Sequence, residues 1–398
     1  MVVPRRRSNM VASSVKVLTR VLVPLVSALT VAVCSSPQAV PPPAQTGTSS
    51  TTRPAIATTS TTAIATTTTN PRRSGSHRFM PESLVRASGN VVYLLGSAGC
   101  SARLCSRLLR SSDDGLHFVR ASLPSVAHST APIALDSIRY LQFANPEDGY
   151  LLVGSTPGVL YMTDDGARTW PVVRFGRHAS VLSIATTPQS AYVTVSHCKG
   201  EYCGADRLAR SLVGSALWTV VSAIPANKEG GWSLEAAVGK RVWLGTGGGT
   251  GDVKLALSAN EGKSFVLVWS EPVLGCDLTP TSDAVVWLDC SGGMMGDWFR
   301  STDGGRTFRA LSIRPYHSDP FDPVSDTVAF YLPAAGVQLY RTANAGRSFG
   351  ERGVIPVKGA QGASVSFVGA SHGLALVGPQ QELFRTSDGG VTWTRVQV

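Results

Sequence analysis

Short apolar runs of four to six residues recur along most of the chain, and segments rich in Gly, Asp and Asn separate them. Ile138–Phe143, Val181–Ala185 and Leu374–Val377 are examples. Runs of this length bounded by turn residues are typical of β-strands, whereas an amphipathic helix needs a longer segment with helical periodicity. The pattern therefore predicts an all-β fold made of many short strands.

An eight-residue segment, which we call the box, lies between many of these runs. Its clearest copies are Ser301–Phe308 and Thr386–Trp393, which read Ser or Thr, any residue, Asp, any residue, Gly, any residue, Thr, and an aromatic residue. Asp accepts hydrogen bonds from nearby backbone N–H groups and Gly permits positive φ. The box therefore predicts a tight turn between two strands.

The box recurs seven times, at starts 41 to 52 residues apart, so each copy marks one small sheet of a repeat protein. The copies begin at residues 111, 163, 211, 258, 301, 342 and 386. The copy at Ser211 keeps Trp218 but has Val213 at the Asp position. The side chains predicted to support the other turns are Asp113, Asp165, Asn260, Asp303, Asn344 and Asp388.

The repeated box resembles the Asp-box family, also called bacterial neuraminidase repeats. Over about residues 78–398, the chain is similar to the photosystem II assembly-factor type of propeller. The resemblance implies a seven-bladed β-propeller of four-stranded antiparallel blades, with strands A to D and the box at each C–D turn. Blade 1 supplies four strands of its own, so side-chain packing against blade 7 is expected to close the ring. The Asp-box family spans sialidases, other glycosidases, receptors and assembly factors, so the box predicts a fold without predicting an activity.

Residues 1–34 have the features of an export signal. Basic residues precede the uncharged run Val21–Val33, whose thirteen residues suit a signal-peptide core and are too few for an ordinary membrane span. Cys34 follows in a segment similar to a bacterial lipobox, although Val33 stands where that pattern has a small residue. The segment is compatible with lipidation of Cys34. It is equally compatible with an ordinary secretory signal or an uncleaved anchor. Either predicts an extracytoplasmic protein, membrane-anchored at the cell surface or secreted.

Residues 35–76 are rich in Thr and Pro and contain no acidic or aromatic residue, so they predict a disordered linker. The net charge of the whole chain is +10, but eight basic residues and no acid lie in residues 1–76. The predicted propeller domain, residues 77–398, therefore carries only +2. This balance removes the bulk-charge argument for binding nucleic acid.

Six of the seven cysteines lie in the propeller domain and pair by proximity in the sequence. An even number of cysteines in an exported chain predicts disulfides. The alternative is a zinc site built from two C-x4-C pairs, which would need two distant loops to meet, so no metal or cofactor is predicted. The predicted pairs are Cys100 with Cys105, Cys198 with Cys203, and Cys276 with Cys290.

The repeat assigns the loops to two faces. A–B and box turns share one face, the box face, while B–C and D–A connections share the opposite one, the loop face. Binding residues concentrate on long loops over a rigid scaffold. The long B–C loops are predicted at Gly99–Arg107, His197–Arg207, Gly245–Val253 and Ser291–Trp298. The long D–A loops are predicted at Ser122–Ala134, Arg174–Ala179, Ala223–Gly231 and Arg314–Val324. Candidate binding residues on these loops or directly next to them are Arg103, Lys199, Tyr202, Asp206, Trp232, Met294, Asp297, Trp298, Tyr316, His317 and Asp319.

These features predict a monomeric binding or scaffold propeller that recognises a protein or a cell-envelope glycan through its loop face. The alternative is a sialidase-like glycoside hydrolase, which would need two carboxylates at a defined separation. The sequence has no match to the early Arg-Ile-Pro signature of sialidases, and no catalytic residue is assigned. The loop-face carboxylates available to such an enzyme are Glu201, Asp206, Glu229, Asp252, Asp297, Asp319 and Asp322.

Overall fold

The described part of the chain forms seven four-stranded antiparallel sheets, each with its strands in sequence order. The all-β, seven-bladed propeller prediction is therefore confirmed. In the computed structural model, the described residues are 78–100, 103–125, 133–154, 157–197, 205–225, 231–246, 252–273, 275–291, 296–313, 319–333, 336–359, 364–378 and 380–398.

The first four blades contain strands β1 to β16. Blade 1 holds β1 (Met80–Ser88), β2 (Val91–Cys100), β3 (Arg103–Ser111) and β4 (Val119–Ala121). A 3-10 helix, Leu135–Ser137, precedes blade 2, which holds β5 (Ile138–Phe143), β6 (Gly149–Val153), β7 (Val159–Thr163) and β8 (Val172–Val173). Blade 3 holds β9 (Ala179–Thr186), β10 (Ser190–His197), β11 (Arg207–Leu212) and β12 (Thr219–Ala223). Blade 4 holds β13 (Trp232–Val238), β14 (Arg241–Thr246), β15 (Val253–Ser258) and β16 (Val266–Glu271).

The last three blades contain strands β17 to β28. Blade 5 holds β17 (Gly275–Pro280), β18 (Val286–Ser291), β19 (Gly296–Ser301) and β20 (Arg309–Ala310). Blade 6 holds β21 (Phe321–Pro323), β22 (Ala329–Tyr331), β23 (Gln338–Thr342) and β24 (Gly350–Val354). Blade 7 holds β25 (Ser364–Val368), β26 (His372–Val377), β27 (Glu382–Thr386) and β28 (Thr394–Val396).

The first strand of each blade lies innermost and the fourth lies outermost. First strands of successive blades contact one another, as β9 contacts β13 and β13 contacts β17. Fourth strands instead expose apolar side chains such as Val119, Val220 and Leu267. The polar residues of the first strands are therefore the ones that face the centre of the ring.

Apolar packing between neighbouring blades forms the core. We call each blade-to-blade interface a seam. Each of the seven seams holds a cluster of buried apolar side chains within the described residues. Tyr93 of blade 1 and Phe143 of blade 2 illustrate this packing, since their rings stack with centroids 3.8 Å apart. Burial of apolar area between sheets is thus the main force that joins the blades.

The box turns use the hydrogen bonds that their residue types predict. In blade 5 the Ser301 hydroxyl accepts from the Gly305 N–H at 2.8 Å and donates to Asp303 Oδ1 at 2.7 Å. Asp303 also accepts from the N–H groups of Arg306 and Thr307, each at 3.0 Å, and from the Thr307 hydroxyl. Partial burial works to raise the pKa of Asp303, but these bonds outweigh it and lower that pKa to about 2.

The same first-position bond occurs in six boxes, and the seventh differs as its sequence suggests. In the other five the hydroxyl of the first residue accepts from the N–H of the fifth at 2.9 to 3.0 Å. In blade 3, where Val213 replaces Asp, the Ser211 hydroxyl instead donates to the carbonyls of Ser215 and Leu217. Blade 3 therefore keeps a turn without the carboxylate.

A second backbone bond joins each box to the A–B turn of its own blade, at 2.7 to 3.1 Å. Both turns therefore lie on the same face, as predicted for the box face. The seven donor and acceptor pairs are Asp114 to Asn90, Gly166 to Glu147, Val213 to Gln189, Glu261 to Lys240, Gly304 to Ala284, Ala345 to Thr327, and Gly389 to Ser371.

Side chains close the ring, and among the described strands none is shared between blades 1 and 7. Val92 of blade 1 and Leu374 of blade 7 belong to one buried cluster. Asp114 accepts from Arg86 at 2.8 Å and from Arg385 at 3.0 Å, which ties the two blades together at the box face. The closure expected from the strand count of blade 1 is thus confirmed.

The predicted export signal, Cys34 and the Thr/Pro-rich linker lie outside the described residues, so they stay predictions. In the part of the chain that the structure describes, no helix is both long and apolar enough to span a membrane.

Replacing the box aspartate of blade 2 is expected to destabilise the propeller. Asp165 accepts four hydrogen bonds, from the Thr163 hydroxyl, the N–H groups of Arg168 and Thr169, and the Thr169 hydroxyl. Asp165→Ala should lower the free energy of unfolding by about 1–2 kcal/mol, because these donors lose their acceptor. The midpoint of urea unfolding measures the change.

Asp164→Ala is the matched control, since Asp164 is the exposed neighbour in the same box. It removes the same group next to the same turn and should leave the midpoint unchanged. Equal midpoints for the two variants would contradict the supporting role of Asp165.

Candidate functional site

The seam between blades 5 and 6 differs from the other six in what it buries. Its apolar cluster contains three buried residues, Val285, Trp287 and Ala329. Each other seam has six or more among the described residues. Where one interface of a repeat protein departs from the packing of its equivalents, a functional site is the first explanation to consider. This seam is therefore the candidate site.

An aromatic stack fills much of this seam. Trp298 of blade 5 lies against Phe321 of blade 6, with ring centroids 4.1 Å apart and planes 18° from parallel. Tyr331 meets the edge of the same indole at 5.1 Å, and Phe349 lies 5.6 Å away. Trp298 is only 1% exposed. The stack joins the two blades and sets the position of the indole N–H.

Two carboxylates stand beside this stack on paired strands. Asp277 of β17 lies directly across from Asp289 of β18, and Asp289 lies across from Trp298 of β19. Directly paired residues of antiparallel strands point to the same side of a sheet. The Trp298 indole accordingly donates to Asp289 Oδ1 at 2.9 Å. Asp289 is half-buried in the seam, whereas Asp277, on the innermost strand, is exposed.

Neighbouring acids raise the affinity of this region for protons. Burial raises the pKa of Asp289 to about 7, the bond from Trp298 lowers it, and the charges of Asp277 and Asp319 raise it further. Burial likewise raises the pKa of Glu235 on β13 to about 7, with Asp277 adding to the effect. We call Glu235, Asp277, Asp289 and Asp319 the acidic cluster. Within it, Glu235 and Asp289, each with a pKa of about 7, can take up or give up a proton near neutral pH.

Asp322 is a further acid in this region, but its carboxylate is bonded to blade 7 and is not part of the acidic cluster. It accepts from the Phe367 N–H of blade 7 at 2.5 Å. Burial raises the pKa of Asp322 to about 7, while the bond from Phe367 and the charge of Arg86 lower it. Asp322 therefore ties blade 6 to blade 7 and is engaged in structure.

A disulfide between Cys276 and Cys290 fixes the two strands that carry the paired carboxylates. Each cysteine is the chain neighbour of one of them, so side chains that alternate along a strand place the disulfide on the opposite side of the sheet. The cross-link holds Asp277 and Asp289 in register. The predicted pair Cys100–Cys105 is also formed, and Cys198–Cys203 lies outside the described residues.

One predicted loop aromatic lies in a strand instead. Trp298 is the third residue of β19 and only 1% exposed, so its placement on a loop was wrong, because that strand extends beyond the apolar run. Trp232 begins β13, is 8% exposed, and packs into the seam between blades 3 and 4. Gly99–Arg107 was also wrongly predicted as a loop, since β2 reaches Cys100 and β3 begins at Arg103.

The other predicted binding residues are not brought into one group within the described part of the chain. Asp319 joins the acidic cluster, while Asp206 is exposed and lies 3.5 Å from the His197 imidazole in blade 3. Asp297 pairs with Cys290, on the side of blade 5 opposite Trp298. Arg103 lies in β3, and its side chain is outside the description. The remaining candidates fall in segments outside it, namely Lys199, Tyr202, Met294, Tyr316 and His317.

Sequence reasoning missed Glu235, Asp277 and Asp289, because it searched loops and these acids lie inside strands. One signal was present in the sequence. Asp289 directly follows the apolar run Val285–Leu288, and a carboxylate in a strand of this kind is unusual unless it is paired or functional. Among the described residues, no group of three or more His, Cys, Asp and Glu side chains is arranged to hold a metal ion.

Comparison with known proteins identifies a similar fold and no related family. A scan against protein families and a search of curated proteins both find no match. Among solved structures, one from a study of two prolyl endopeptidases matches this chain with a TM-score of 0.56 at 11% identity. The match covers 80% of this chain and 50% of that one. YCF48 from Cyanidioschyzon merolae gives 0.47 at 17% identity, covering 65% and 84%. The GH74 enzyme of Niastella koreensis gives 0.32 at 12%, covering 81% and 71%. At 11% identity, the likeness to the prolyl endopeptidase structure shows a shared fold alone.

Stability is expected to fall as the pH rises from about 4 to about 7. Asp289 and Glu235 have pKa values of about 7 in the folded protein and about 4 when unfolded, so the folded state binds more protons across this window. Raising the pH through the window therefore favours the unfolded state. Thermal unfolding followed by circular dichroism at several pH values measures the slope.

Asp289→Asn should flatten that slope, because it removes one of the titrating groups. Asp283→Asn is the control, as Asp283 is an exposed acid at the box-face end of the same blade. It should leave the slope unchanged. A wild-type unfolding temperature that rises steadily between pH 4 and pH 7 would contradict the interpretation.

Proposed function

We propose that this chain is an exported binding protein of the Asp-box propeller type, which recognises a cationic segment of a protein partner at the acidic cluster. The observation that carries the proposal is the exposed Asp277 on the innermost strand, directly across from Asp289. Both lie toward the loop-face ends of their strands. A binding site there is reached from the face where the long loops converge.

The electrostatics of the cluster favour a positively charged ligand. Asp277 forms no ion pair within the described residues, and its charge raises the pKa values of both Glu235 and Asp289. Acids that raise one another's pKa gain from a nearby cation, since it favours their charged forms. A lysine or arginine side chain from a partner supplies such a cation. The aromatic stack around Trp298 holds the acids in place without itself being exposed.

The location outside the cytoplasm is part of the same proposal. Residues 1–34 would direct export, and residues 35–76 would hold the propeller away from the membrane by a Thr/Pro-rich tether. Two disulfides in the described residues support an oxidising compartment. The box turns, with a carboxylate or amide bonded into the same loop in six blades, support membership of the Asp-box group.

A glycoside hydrolase is the second candidate, and the same pair of residues favours it. Such enzymes need one protonated carboxyl as the acid and a second carboxylate as nucleophile or base. Asp289, with its pKa raised to about 7, would serve as the acid, and Asp277 directly across the strand pair would be the second group. Exposure of Asp277 toward the ring centre would admit a glycan chain.

One pair of variants tests the first candidate and separates it from the second. Asp277→Asn should weaken binding of a fluorescent octalysine peptide about fivefold, since loss of one exposed charge is worth about 1 kcal/mol. Asp283→Asn removes the same charge at the box face and should bind as the wild type does. Fluorescence anisotropy at low salt measures both, and equal affinities would rule out the cationic site.

A panel of envelope polysaccharides tests the hydrolase in the same samples. New reducing ends that appear with wild type and vanish in both Asp277→Asn and Asp289→Asn would identify a hydrolase. Binding of the peptide without any release of reducing ends would leave the binding protein as the function.

Cys34→Ser tests the anchor. If Cys34 carries a lipid, the variant expressed in a bacterial host should move from the membrane fraction to the soluble extracytoplasmic fraction on ultracentrifugation. Ala32→Gly changes the same segment without removing the thiol and should stay with the membrane. Continued membrane retention of Cys34→Ser would show that any anchor is not a lipid on this residue.

A further inference from the structure

Arginine occupies the position directly before the box in five blades, and it braces the seams at the box face. Three of these arginines reach a carboxylate of the next blade. Arg110 lies 3.3 Å from Glu147, Arg210 lies 3.0 Å from Glu261, and Arg385 lies 3.0 Å from Asp114. The five residues are Arg110, Arg210, Arg300, Arg341 and Arg385.

Two of the three carboxylates come from the same place in the repeat. Asp114 and Glu261 are each the fourth residue of a box, with φ of 59° and 62°. Blade 6 has Ala345 at this place, with φ of 63°. Arg300 of blade 5 therefore lies opposite an alanine where Arg210 and Arg385 meet an acid. Blade 7 has Gly389 at this place, and Arg352 donates to the Gly389 carbonyl at 3.4 Å.

The contacts of Arg300 leave its positive charge without a bonded carboxylate. Its Nη2 donates to the Asp326 backbone carbonyl at 2.7 Å, and its guanidinium lies 5.2 Å from the centre of the Trp287 ring. Its Nε is buried and has no hydrogen-bond partner among the described residues. The Asp326 carboxylate bonds instead to the hydroxyls of Thr281 and Ser282.

A pocket of about 670 Å³ opens beside Ala345, on the outer edge of this seam. Arg309 and Arg347 line it together with Arg300, and both are exposed and form no ion pair within the described residues. The remaining polar lining comes from Thr302, Thr307 and Ser312, and the described residues that line the pocket include no acid. Three cations and three hydroxyls thus surround a space that holds an acid in other seams.

We propose that this pocket binds a phosphate or sulfate group, which takes the place of the missing carboxylate. Guanidinium groups match the oxygens of such anions with paired N–H donors, and the Thr302 and Ser312 hydroxyls supply further donors. The Thr307 hydroxyl already donates to Asp303. The volume exceeds that of a single anion, and Phe308 and Leu311 add apolar lining. The anion is therefore an ester on a larger molecule. This site is separate from the acidic cluster, and neither depends on the other.

Isothermal titration of the full-length chain with inorganic phosphate and inorganic sulfate at low ionic strength tests the site. Saturable binding to one site is expected, and it should weaken as sodium chloride is raised. Acetate at equal concentration should bind at least tenfold more weakly, because it has fewer oxygens and a single charge. Acetate binding as tight as phosphate binding would overturn the assignment. Glucose 6-phosphate and glucose 6-sulfate then show which ester binds more tightly.

Ala345→Glu fills the pocket with the acid that blade 4 has at this place. Glu261 already adopts the same backbone conformation there and pairs with Arg210, so the variant should fold with unchanged or higher thermal stability. Its affinity for phosphate should drop on the order of tenfold or more, as the new carboxylate competes for Arg300. Wild-type affinity in a folded Ala345→Glu protein would overturn the proposal.

A second variant tests the site without altering the box. Arg309→Gln combined with Arg347→Gln should also lower phosphate affinity on the order of tenfold. Arg120→Gln is the control, because Arg120 is exposed on the outer strand of blade 1. It should bind phosphate as the wild type does. Equal losses in the control and the double variant would show that general surface charge, and not this pocket, attracts the anion.

Discussion

Burial of apolar side chains between neighbouring blades is the interaction on which the rest of this protein depends. A four-stranded sheet has two apolar faces and cannot cover both by itself, so each blade is stable only between two others. Seven clusters, one at each seam, meet that requirement. The same requirement explains closure without a shared strand. Val92 and Leu374 bury apolar area at the last seam, and Asp114 bridges two arginines above them.

Structural redundancy of this kind lets one seam differ. Between blades 5 and 6, where the buried apolar cluster is smallest among the described residues, stacking of Trp298 on Phe321 supplies much of the cohesion. The seam can then carry charge at both ends. Acids gather at the inner, loop-face end around Asp277, and arginines gather at the outer, box-face end around Arg300. Opposite charges are therefore separated along one interface.

Residues of the box form hydrogen bonds within their own turn and also ion pairs with the neighbouring blade. Its carboxylates accept backbone bonds within their own turns, and the low pKa of Asp303 reflects that use. The box acids at the third position are therefore scaffold. The fourth position is different, because its positive φ aims the side chain at the neighbouring blade, where Asp114 and Glu261 meet arginines. An acid at this position braces two seams by an ion pair, whereas Ala345 at the same position leaves a pocket open.

Strand number, blade number and the face that carries the boxes followed from the sequence, because each depends on residues a few positions apart. Ser301, Asp303 and Thr307 bond within one turn, and such bonds repeat wherever the residue types repeat. The candidate site could not be predicted from the sequence. Asp277 meets Asp289 only through strand pairing, and Trp298 is buried only because Phe321 of the next blade covers it. Likewise, the open pocket at Arg300 exists because Ala345 lies opposite, a relation that requires two blades to be packed side by side. Hydrogen bonds within a turn are local, whereas burial and charge pairing across a seam depend on residues that only folding brings together.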